Sequence, residues 1–280
     1  MGETKRKRLK IVKTPIKWIG SKRRFISELN QYLPEKIENY FEPFCGSSAM
    51  AFYLMTENKI NGLVTLSDTN SDLIASYKCI VNPKKLKIVL DKLAIHREKH
   101  SSAHFDLVKK SGYNSLEDIA SRFLYFNRAS FSGIYRVNSQ DRYNVAPKTK
   151  SDVVWLDDSV YIQAGEFLSK TKIYCTAYDY ILDEIKPGDF LFIDPPYQRI
   201  FLSGERIYSA KPFTFEDQKK LKLFCDAINK KGAYFLQTNS IEAEMTNLYS
   251  SYNIALMDVK YTSHGVDPNV KTNEIIVRNY

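Results

Sequence analysis

The chain has 280 residues, 44% hydrophobic and 26% charged, which suits one large or two modest globular domains. Its 41 Lys and Arg against 32 Asp and Glu give a formal charge of +9, which favours a nucleic-acid partner, although a solvated basic surface would give the same balance. The sequence contains no secretory signal, no apolar run long enough to cross a membrane and no CxxC pair among its four cysteines. These absences argue against secreted, membrane and disulfide-framed proteins and predict a cytoplasmic protein.

The first third of the chain alternates predicted strands with predicted helices. Strands are predicted at 40–44 and 62–68, and each is followed by a helical stretch, at 47–58 and 70–80. Such alternation predicts a parallel sheet with helices packed on its faces. Ahead of it, residues 1–13 are rich in Lys and Arg and are predicted to form a flexible basic arm that contacts phosphates.

The pattern changes between residues 82 and 170. Long charged helical stretches come first, and a segment rich in Arg, Asn and aromatic residues follows at 123–150. We therefore predict an inserted lobe at 82–170 in an α/β domain formed by 1–81 and 171–280. Within the lobe, His96, His100 and His104 recur at four-residue spacing, but neither a carboxylate nor a cysteine completes a metal set. No metal site is predicted, and the three histidines are interpreted as a solvated or phosphate-facing stripe.

After residue 170 the alternation resumes. A helix is predicted from Thr214, a suitable N-cap, to Gly232, which lies just past its end. Further strands are predicted at 172–176, 189–193, 233–240, 254–261 and 273–280.

The predicted strand at 189–193 ends abruptly in Asp194-Pro195-Pro196-Tyr197. In open α/β sheets ligands bind beyond the carboxyl ends of the strands, so Asp194 is expected at the mouth of a crevice. The two prolines remove backbone donors and fix the turn, which leaves carboxylate and carbonyl acceptors beside an aromatic ring. An exocyclic amino group on a planar base would fit these acceptors and stack on Tyr197. An ordinary strand-ending turn is the alternative.

Two other turns carry candidate ligand-binding residues. The turn within 41–52 has small residues that admit a ligand close to the backbone, but Gly46 is its only glycine, so it is not a dinucleotide signature. Asp68 ends the next strand, where an acid can bind a ribose diol or cap the following helix. Before both turns, Gly-Ser-Lys22 lacks the upstream glycine of a phosphate loop. Lys22 is instead expected to meet a carboxylate, and Trp18 to cover an adenine ring or a sulfonium.

These motifs, in this order, resemble the Dam-type N6-adenine DNA methyltransferases, the D12 class with motifs ordered as in the alpha group. The likeness runs from IKWIGSKRRF through EPFCGSS, SDTNSDLI, DPPY and YSAKPFTFEDQKKL to the closing NEIIVRNY. The resemblance implies a Rossmann-like, mostly parallel mixed sheet with a reversed C-terminal hairpin, and S-adenosylmethionine (AdoMet) as methyl donor. It also implies that the inserted segment is a mainly helical target-recognition domain with a β-hairpin.

The resemblance also assigns roles to residues at matching motif positions. Those implied to bind AdoMet are Trp18, Lys22, Phe44, Cys45, Gly46, Ser47, Asp68, Asp179, Tyr180 and Asp194. Those implied to hold a flipped target adenine are Asp194, Pro195, Pro196 and Tyr197. Phe131 and Ser132 match the aromatic-polar pair that intercalates near the target base. The other residues expected to contact DNA, because Arg reads guanine and Asn reads adenine in the major groove, are Arg128, Arg136, Asn138 and Arg142, with Arg136 the best candidate to read a base. A phosphate contact or a surface salt bridge is the alternative for each Arg. Ser132 departs from the asparagine common in the family, and 139–148 lacks a usual glycine and second aromatic, so the recognition sequence stays open.

Three other functions remain open from the sequence. N4-cytosine methylation would use the same geometry, although Asp194 in place of serine argues for adenine. An RNA N6-adenine methyltransferase would share the basic charge, and a catalytically silent DNA-binding module would share the fold. The predicted partners are AdoMet, double-stranded DNA and a separate cognate restriction endonuclease, with the chain acting as a monomer.

Overall fold

The computed structural model describes residues 12–133, 135–138, 143–197, 213–259 and 272–280. Within them, seven strands form one mixed sheet in the order β3-β2-β1-β4-β5-β7-β6. The strands are β1 (Tyr40–Glu42), β2 (Val64–Asp68), β3 (Lys172–Cys175), β4 (Phe190–Ile193), β5 (Tyr234–Ser240), β6 (Asn253–Val259) and β7 (Thr272–Arg278). Strands β1 to β5 are parallel to one another, whereas β7 is antiparallel to both β5 and β6. The predicted Rossmann-like sheet with a reversed C-terminal hairpin is confirmed.

Helices follow the strands as the sequence pattern predicts. They are α1 (Ile26–Leu29), α2 (Ala49–Thr56), α3 (Ser71–Ile80), α4 (Pro83–Glu98), α5 (Ser102–Lys110), α6 (Leu116–Ala129), α7 (Asp158–Phe167), α8 (Phe215–Lys230) and α9 (Ala243–Leu248). Local chemistry sets several of their starts. The Asn82 side chain caps α4, and Thr214 forms a reciprocal capping box with Asp217 at the start of α8. Gly232, with a φ of 73°, follows the end of α8, as predicted.

The strand order reverses between β1 and β4. The chain steps from β1 outward to β2 and β3, and then returns to place β4 on the other side of β1, where Tyr40 pairs with Phe190. A ligand crevice forms at such a reversal, outside the carboxyl ends of the two strands. Glu42 is the last residue of β1, and Asp194 directly follows the last residue of β4.

The inserted segment shares its core with the α/β domain. Phe105, Leu124 and Phe126 from the segment belong to the same hydrophobic cluster as Phe52 and Leu66. The segment is mainly helical, as predicted, but it forms no separate core, because α6 packs directly against α3. Its boundaries at 82 and 170 stay a prediction.

The predicted β-hairpin of the inserted segment is reduced, in the part that the structure describes, to two isolated antiparallel bridges. These join Ser130 to Pro147 and Val137 to Tyr143. The basic arm predicted at 1–13 lies outside the described residues except for its last two positions. None of the helices that the structure describes is both long and apolar enough to span a membrane.

Candidate active site

The carboxylate of Asp194 is the centre of a polar cluster at the carboxyl end of β4. The four residues of β4 are buried, and Asp194 follows them directly. Three donors meet the same oxygen, Oδ1: Lys22 Nζ at 2.7 Å, Thr238 Oγ1 at 2.7 Å and Tyr197 Oη at 3.3 Å. Among the described residues, none donates to Oδ2. The cluster therefore orients Asp194 while leaving an acceptor atom for a ligand.

Lys22 brings a buried ammonium group into this cluster. Its side chain is only 4% exposed and lies in a short 3₁₀ helix, Lys22–Phe25. Besides Asp194, Nζ contacts the Gly20 carbonyl at 3.1 Å and lies 3.7 Å from Glu274 Oε2 and 4.9 Å from the centre of the Tyr197 ring. Lys22 does meet a carboxylate, and that carboxylate is Asp194.

Tyr197 is held on its polar side by Glu274. The Tyr197 hydroxyl donates to Glu274 Oε2 at 2.8 Å, and burial together with the two nearby carboxylates holds the pKa of this phenol well above its usual value. Glu274 is 2% exposed and comes from β7, on the far side of β5. No role was predicted for Glu274 or Thr238. Both lie next to other polar residues in β7 and β5, so neither stands out from its neighbours in the sequence.

A second layer of side chains supports the proline turn. Gln218 Nε2 donates to the Pro196 carbonyl at 3.3 Å, and Asn239 Nδ2 donates to Gln218 Oε1 at 3.0 Å. Both side chains are fully buried, so these bonds form in a low-dielectric interior. The carbonyl of Pro196 is thus oriented by α8 and β5.

The turn after β1 is built around Gly46. This residue has a φ of 43°, and a Cβ added to it would lie 2.5 Å from Trp18 Cδ1. Its N–H donates to Asp68 Oδ2 at 3.2 Å, and its carbonyl accepts from the Tyr77 hydroxyl at 3.0 Å. Glycine is required here both by the left-handed backbone and by the indole packed against it. The turn and Trp18 therefore form one unit, as the shared assignment to AdoMet predicts.

The neighbours of Gly46 anchor the rest of this turn. The Cys45 N–H donates to the Ser67 carbonyl at 3.0 Å, and the hydroxyls of Ser47 and Ser21 lie 2.7 Å apart. Burial raises the pKa of the Cys45 thiol well above its usual value, so the thiol is neutral. Cys45 acts in this turn through its backbone and its packing.

Asp68 receives backbone hydrogen bonds from both flanking turns. Oδ1 accepts from the N–H of Asn70 at 3.0 Å, and Oδ2 accepts from Gly46. The alternative role of Asp68 as a helix cap is wrong, because the Asn70 side chain accepts from Leu73 N at 2.9 Å and caps α3. Burial raises the pKa of the Asp68 carboxyl, and these N–H groups oppose that shift. The backbone N–H of Thr69 is a third group that favours the charged carboxylate.

Glu42 is a buried carboxyl at the reversal point, and no role was predicted for it. Its Oε2 accepts from the Tyr40 hydroxyl at 2.8 Å and from Ala51 N at 3.1 Å. Burial raises its pKa to about 8, with a smaller contribution from the negative charge of Asp194. Its position before Pro43 in the EPF motif was the available signal.

The other residues assigned to AdoMet lie on the β3 side of the crevice. Phe44 packs against Tyr178 and Phe213, with ring centres 5.4 and 6.1 Å apart. Asp179 and Tyr180 are exposed in the 3₁₀ helix Tyr178–Glu184, which follows β3. Tyr178, which was not assigned a role, holds Phe44 in place. Phe44 follows β1, and Asp179 and Tyr180 follow β3, so all three lie beyond the carboxyl ends of parallel strands.

The predicted DNA-contacting residues divide into exposed and buried ones. Phe131 is 50% exposed, whereas Arg136 and Asn138 are half-buried. Arg136 Nε donates to Asn144 Oδ1 at 3.0 Å. The Ser132 side chain and all of Arg142 lie outside the part of the chain that the structure describes.

Arg128 is buried and does not face a DNA-binding surface, so its assignment to DNA contact is wrong. It is 5% exposed, and its guanidinium donates to the Pro15 carbonyl at 2.8 Å. The neighbouring Asn127 exchanges two hydrogen bonds with the backbone of Lys17, at 2.7 and 2.9 Å. Both residues tie α6 to the segment that leads into Trp18.

The three histidines are not a solvated stripe. His100 is 3% exposed, with Nδ1 2.8 Å from the Tyr125 hydroxyl. His96 Nδ1 lies 3.0 Å from His104 Nε2, and both rings pack on Tyr125. Across the described residues, no group of three or more His, Cys, Asp or Glu side chains could hold a metal ion. The histidines form an aromatic core cluster between α4, α5 and α6.

The chain is similar to known proteins along most of its length. A family model described as D12 class N6 adenine-specific DNA methyltransferase matches residues 18–263. The chain is 29% identical over 275 residues to the type II methyltransferase M1.LlaDCHI of Lactococcus lactis subsp. cremoris, with 94% of each chain covered. It is 26% identical over 289 residues to the type II methyltransferase M.MjaIII of Methanocaldococcus jannaschii, covering 96% of this chain and 99% of the relative. It is 28% identical over 259 residues to a DNA N-6-adenine-methyltransferase of Escherichia phage P1, covering 88% of this chain and 33% of the phage protein.

Proposed function

Because the chain belongs to the D12 class of N6-adenine-specific DNA methyltransferases, we propose separate roles for two clusters of residues. The Asp194 cluster, which includes Lys22, Tyr197, Thr238 and Glu274, holds the target adenine. The Gly46–Asp68 cluster, which includes Trp18, holds AdoMet. The reaction is the transfer of a methyl group from AdoMet to N6 of adenine in DNA. The observation that carries the residue roles is that the two clusters flank the strand-order reversal between β1 and β4. Donor and acceptor would then meet in one crevice.

The residues around Gly46 fit AdoMet. The glycine turn lets a ligand approach the backbone closely, and the carboxylate of Asp68 at the end of β2 suits a ribose diol. Trp18 offers an indole face, which attracts a cation such as a sulfonium. Phe44, Asp179 and Tyr180 would border the adenine end. AdoMet, when bound here, supplies an activated methyl group on a positively charged sulfur.

The residues around Asp194 would hold and activate the target amino group. The N6 lone pair of adenine is delocalised into the ring, which makes it a poor nucleophile. Hydrogen bonds from the two N–H groups to Asp194 and to the Pro195 carbonyl would localise that lone pair. Tyr197 would stack on the base, while Lys22, Thr238 and Glu274 keep the acceptors oriented.

The chain lowers the barrier by positioning. N6 would attack the methyl carbon directly while the bond from that carbon to sulfur breaks and its electron pair stays on sulfur. The methylated amino group would then lose one proton to solvent, and no covalent bond to the protein would form. A fixed carboxylate and carbonyl need little reorganisation at the moment of transfer. Because N6 is inaccessible inside a duplex, the adenine must be flipped out, at a cost of about a few kcal/mol that stacking and pocket contacts offset.

We also propose a biological setting. Double-stranded DNA is the substrate form, with Phe131, Arg136 and Asn138 on the side that contacts it. The names of the type II relatives support a separate cognate restriction endonuclease as partner. One target base needs one active site, so a monomer suffices. The four cysteines are all free, which suits action in the cytoplasm.

The first experiment is methyl transfer from labelled AdoMet to unmethylated genomic DNA, followed by nucleoside analysis and single-molecule sequencing. N6-methyladenine within one short motif is expected and would reveal the recognition sequence. N4-methylcytosine would overturn the adenine assignment. Absence of label would overturn catalysis on DNA, and labelled structured RNA would then identify the alternative substrate.

Two aspartate variants test the division of roles within the crevice. Asp194→Ala should abolish detectable transfer while keeping the fold, and any loss of AdoMet affinity should be smaller than in Asp68→Ala. Asp68→Ala should weaken AdoMet binding by at least about tenfold and change DNA binding little, because its lost bonds are to the ribose. Calorimetry with AdoMet and gel-shift titration with DNA would measure both. Weaker AdoMet binding in Asp194→Ala than in Asp68→Ala would refute the roles proposed for the two aspartates. Retained turnover in Asp194→Ala would refute Asp194 as the residue that holds the target adenine.

A further inference from the structure

We propose that Tyr135 is a positioning residue that couples DNA recognition to AdoMet binding, an inference that rests on the proposed function. Tyr135 directly precedes Arg136, the candidate base-reading residue. It is also in contact with residues that shape both AdoMet-facing turns. No role for Tyr135 follows from the family motifs identified in the sequence.

The hydroxyl of Tyr135 is joined to the turn that carries Asp68. It donates to Asp72 Oδ2 at 3.1 Å. Asp72 lies in the first turn of α3, the helix that begins after Asp68 and is capped by Asn70. A displacement of Tyr135 would therefore act on the start of α3 and, through Asn70, on the N–H that Asp68 accepts.

The ring of Tyr135 is joined to the other AdoMet-facing turn. It stacks on Trp18 with ring centres 6.2 Å apart and an interplanar angle of 27°. Trp18 in turn packs on Gly46 so closely that a Cβ there would lie 2.5 Å from the indole. Aromatic stacking and this tight contact make Trp18 responsive to the position of Tyr135.

Asp72 is held from a second direction by Arg122. The guanidinium lies 3.9 Å from Asp72 Oδ2, and its carbon lies 4.2 Å from the centre of the Tyr113 ring and 5.1 Å from that of Phe126. The cavity left among these groups is about 10 Å³, no larger than one water. Tyr135 therefore has little space to move independently of its neighbours.

The segment after Tyr135 is the part expected to respond to DNA. Arg136 Nε bonds Asn144 Oδ1 at 3.0 Å, and Val137 pairs with Tyr143 in an antiparallel bridge. Movement of Arg136 onto a base would displace the adjacent Tyr135 through the backbone that joins them. Because coupling between two binding sites is reciprocal, AdoMet would tighten DNA binding by the same factor as DNA tightens AdoMet binding.

The test is Tyr135→Phe, which removes only the hydroxyl and keeps the ring on Trp18. S-adenosylhomocysteine, which cannot donate a methyl group, is titrated with and without a duplex carrying the motif found by genomic methylation. Binding is read from Trp18 fluorescence in a Trp155→Phe background. The duplex should tighten binding at least about fivefold in the parent, and Tyr135→Phe should reduce that factor at least about threefold. Affinity without DNA should change less than about twofold.

Controls separate coupling from general damage. Tyr143→Phe removes a hydroxyl from the partner strand of the bridge and should leave the coupling factor unchanged. Asp72→Ala should reproduce Tyr135→Phe, and the double variant should be no worse than either single variant. An unchanged factor in Tyr135→Phe, equal weakening with and without DNA, or no coupling in the parent would overturn the inference. Failure to methylate any DNA would instead overturn the proposed function on which it rests.

Discussion

Lys22 Nζ lies 2.7 Å from Asp194 Oδ1, which pairs the lysine of the N-terminal motif with the carboxylate that begins DPPY. The side chains are 4% and 18% exposed, so the pair is largely desolvated. Glu274, 2% exposed, adds a second carboxylate 3.7 Å from the same ammonium. One lysine therefore balances two acids at the proposed base-binding end of the crevice.

Lys22→Met should destabilise the fold and reduce transfer. The neutral side chain has similar length but leaves the Asp194 carboxylate without the cation that lies 2.7 Å from it. Removing one partner of a buried pair costs about 3–5 kcal/mol. Urea unfolding would measure the loss, with Lys219→Met as control, since the Lys219–Glu216 pair is exposed and should cost less than about 1 kcal/mol. Equal losses in the two variants would contradict the importance of the buried pair.

Thr238→Val should lower turnover while leaving AdoMet binding unchanged. The substitution keeps the shape of the side chain and removes the hydroxyl that donates to Asp194 Oδ1 at 2.7 Å. A hydrogen bond to a charged group contributes about 1.5–3 kcal/mol, which predicts a fall in kcat of about 10- to 100-fold. Single-turnover rates and AdoMet calorimetry would test this. Thr246→Val, which removes a hydroxyl bonded to the Glu242 carbonyl, is the matched control.

Gly46→Ala should weaken AdoMet binding and lower stability. The left-handed backbone costs a non-glycine residue about 1–2 kcal/mol, and the new Cβ would also clash with Trp18 at 2.5 Å. Gly188→Ala separates the two effects, because Gly188 has a φ of 84° but no heavy atom within 4 Å of the added Cβ. Thermal unfolding should show the larger loss for Gly46→Ala. Equal losses of stability in the two variants would mean that Trp18 moves away from the added Cβ without an energetic cost.

Stability should fall in mild acid because of His96. Burial, with a smaller contribution from the neighbouring His104, lowers the His96 pKa from 6.5 to about 4, so the folded state keeps this imidazole neutral where the unfolded chain protonates it. The unfolded state therefore binds more protons between about pH 6.5 and pH 4, and stability decreases as pH falls through that window.

The variant His96→Phe tests this pH dependence. It keeps an aromatic ring beside Tyr125, whose centre lies 4.8 Å from that of His96, and removes the titrating group. The free energy of unfolding of the variant should vary with pH less than that of the parent, by about 2 kcal/mol across the window. Denaturant titrations at pH 4.5, 5.5, 6.5 and 7.5 would measure the difference. Parallel curves would show that other groups cause the acid sensitivity.

Local residue patterns were enough to predict the element order and the family. Alternating apolar runs and helical stretches predicted a parallel sheet with helices on its faces, and the resemblance to the family added its Rossmann-like order and reversed C-terminal hairpin. Thr214 and Gly232 marked the limits of α8, because caps and breakers act within a few residues. Asp68 and Asp194 were identified as site residues because each ends an apolar strand. A carboxylate at the end of an apolar strand can be recognised from the neighbouring residues alone as a candidate ligand-binding residue.

Partners distant in sequence were decided by the tertiary structure. Arg128 was predicted to contact DNA because it lies in the Arg- and Asn-rich segment, yet it is buried against the Pro15 carbonyl. The pairing of Lys22 with Asp194, the support from Thr238 and Glu274, and the link from Tyr135 to Asp72 depend on which elements meet across the sheet and on α3. Residue type and periodicity indicate that a polar side chain needs a partner, and only the packed fold determines which partner it finds.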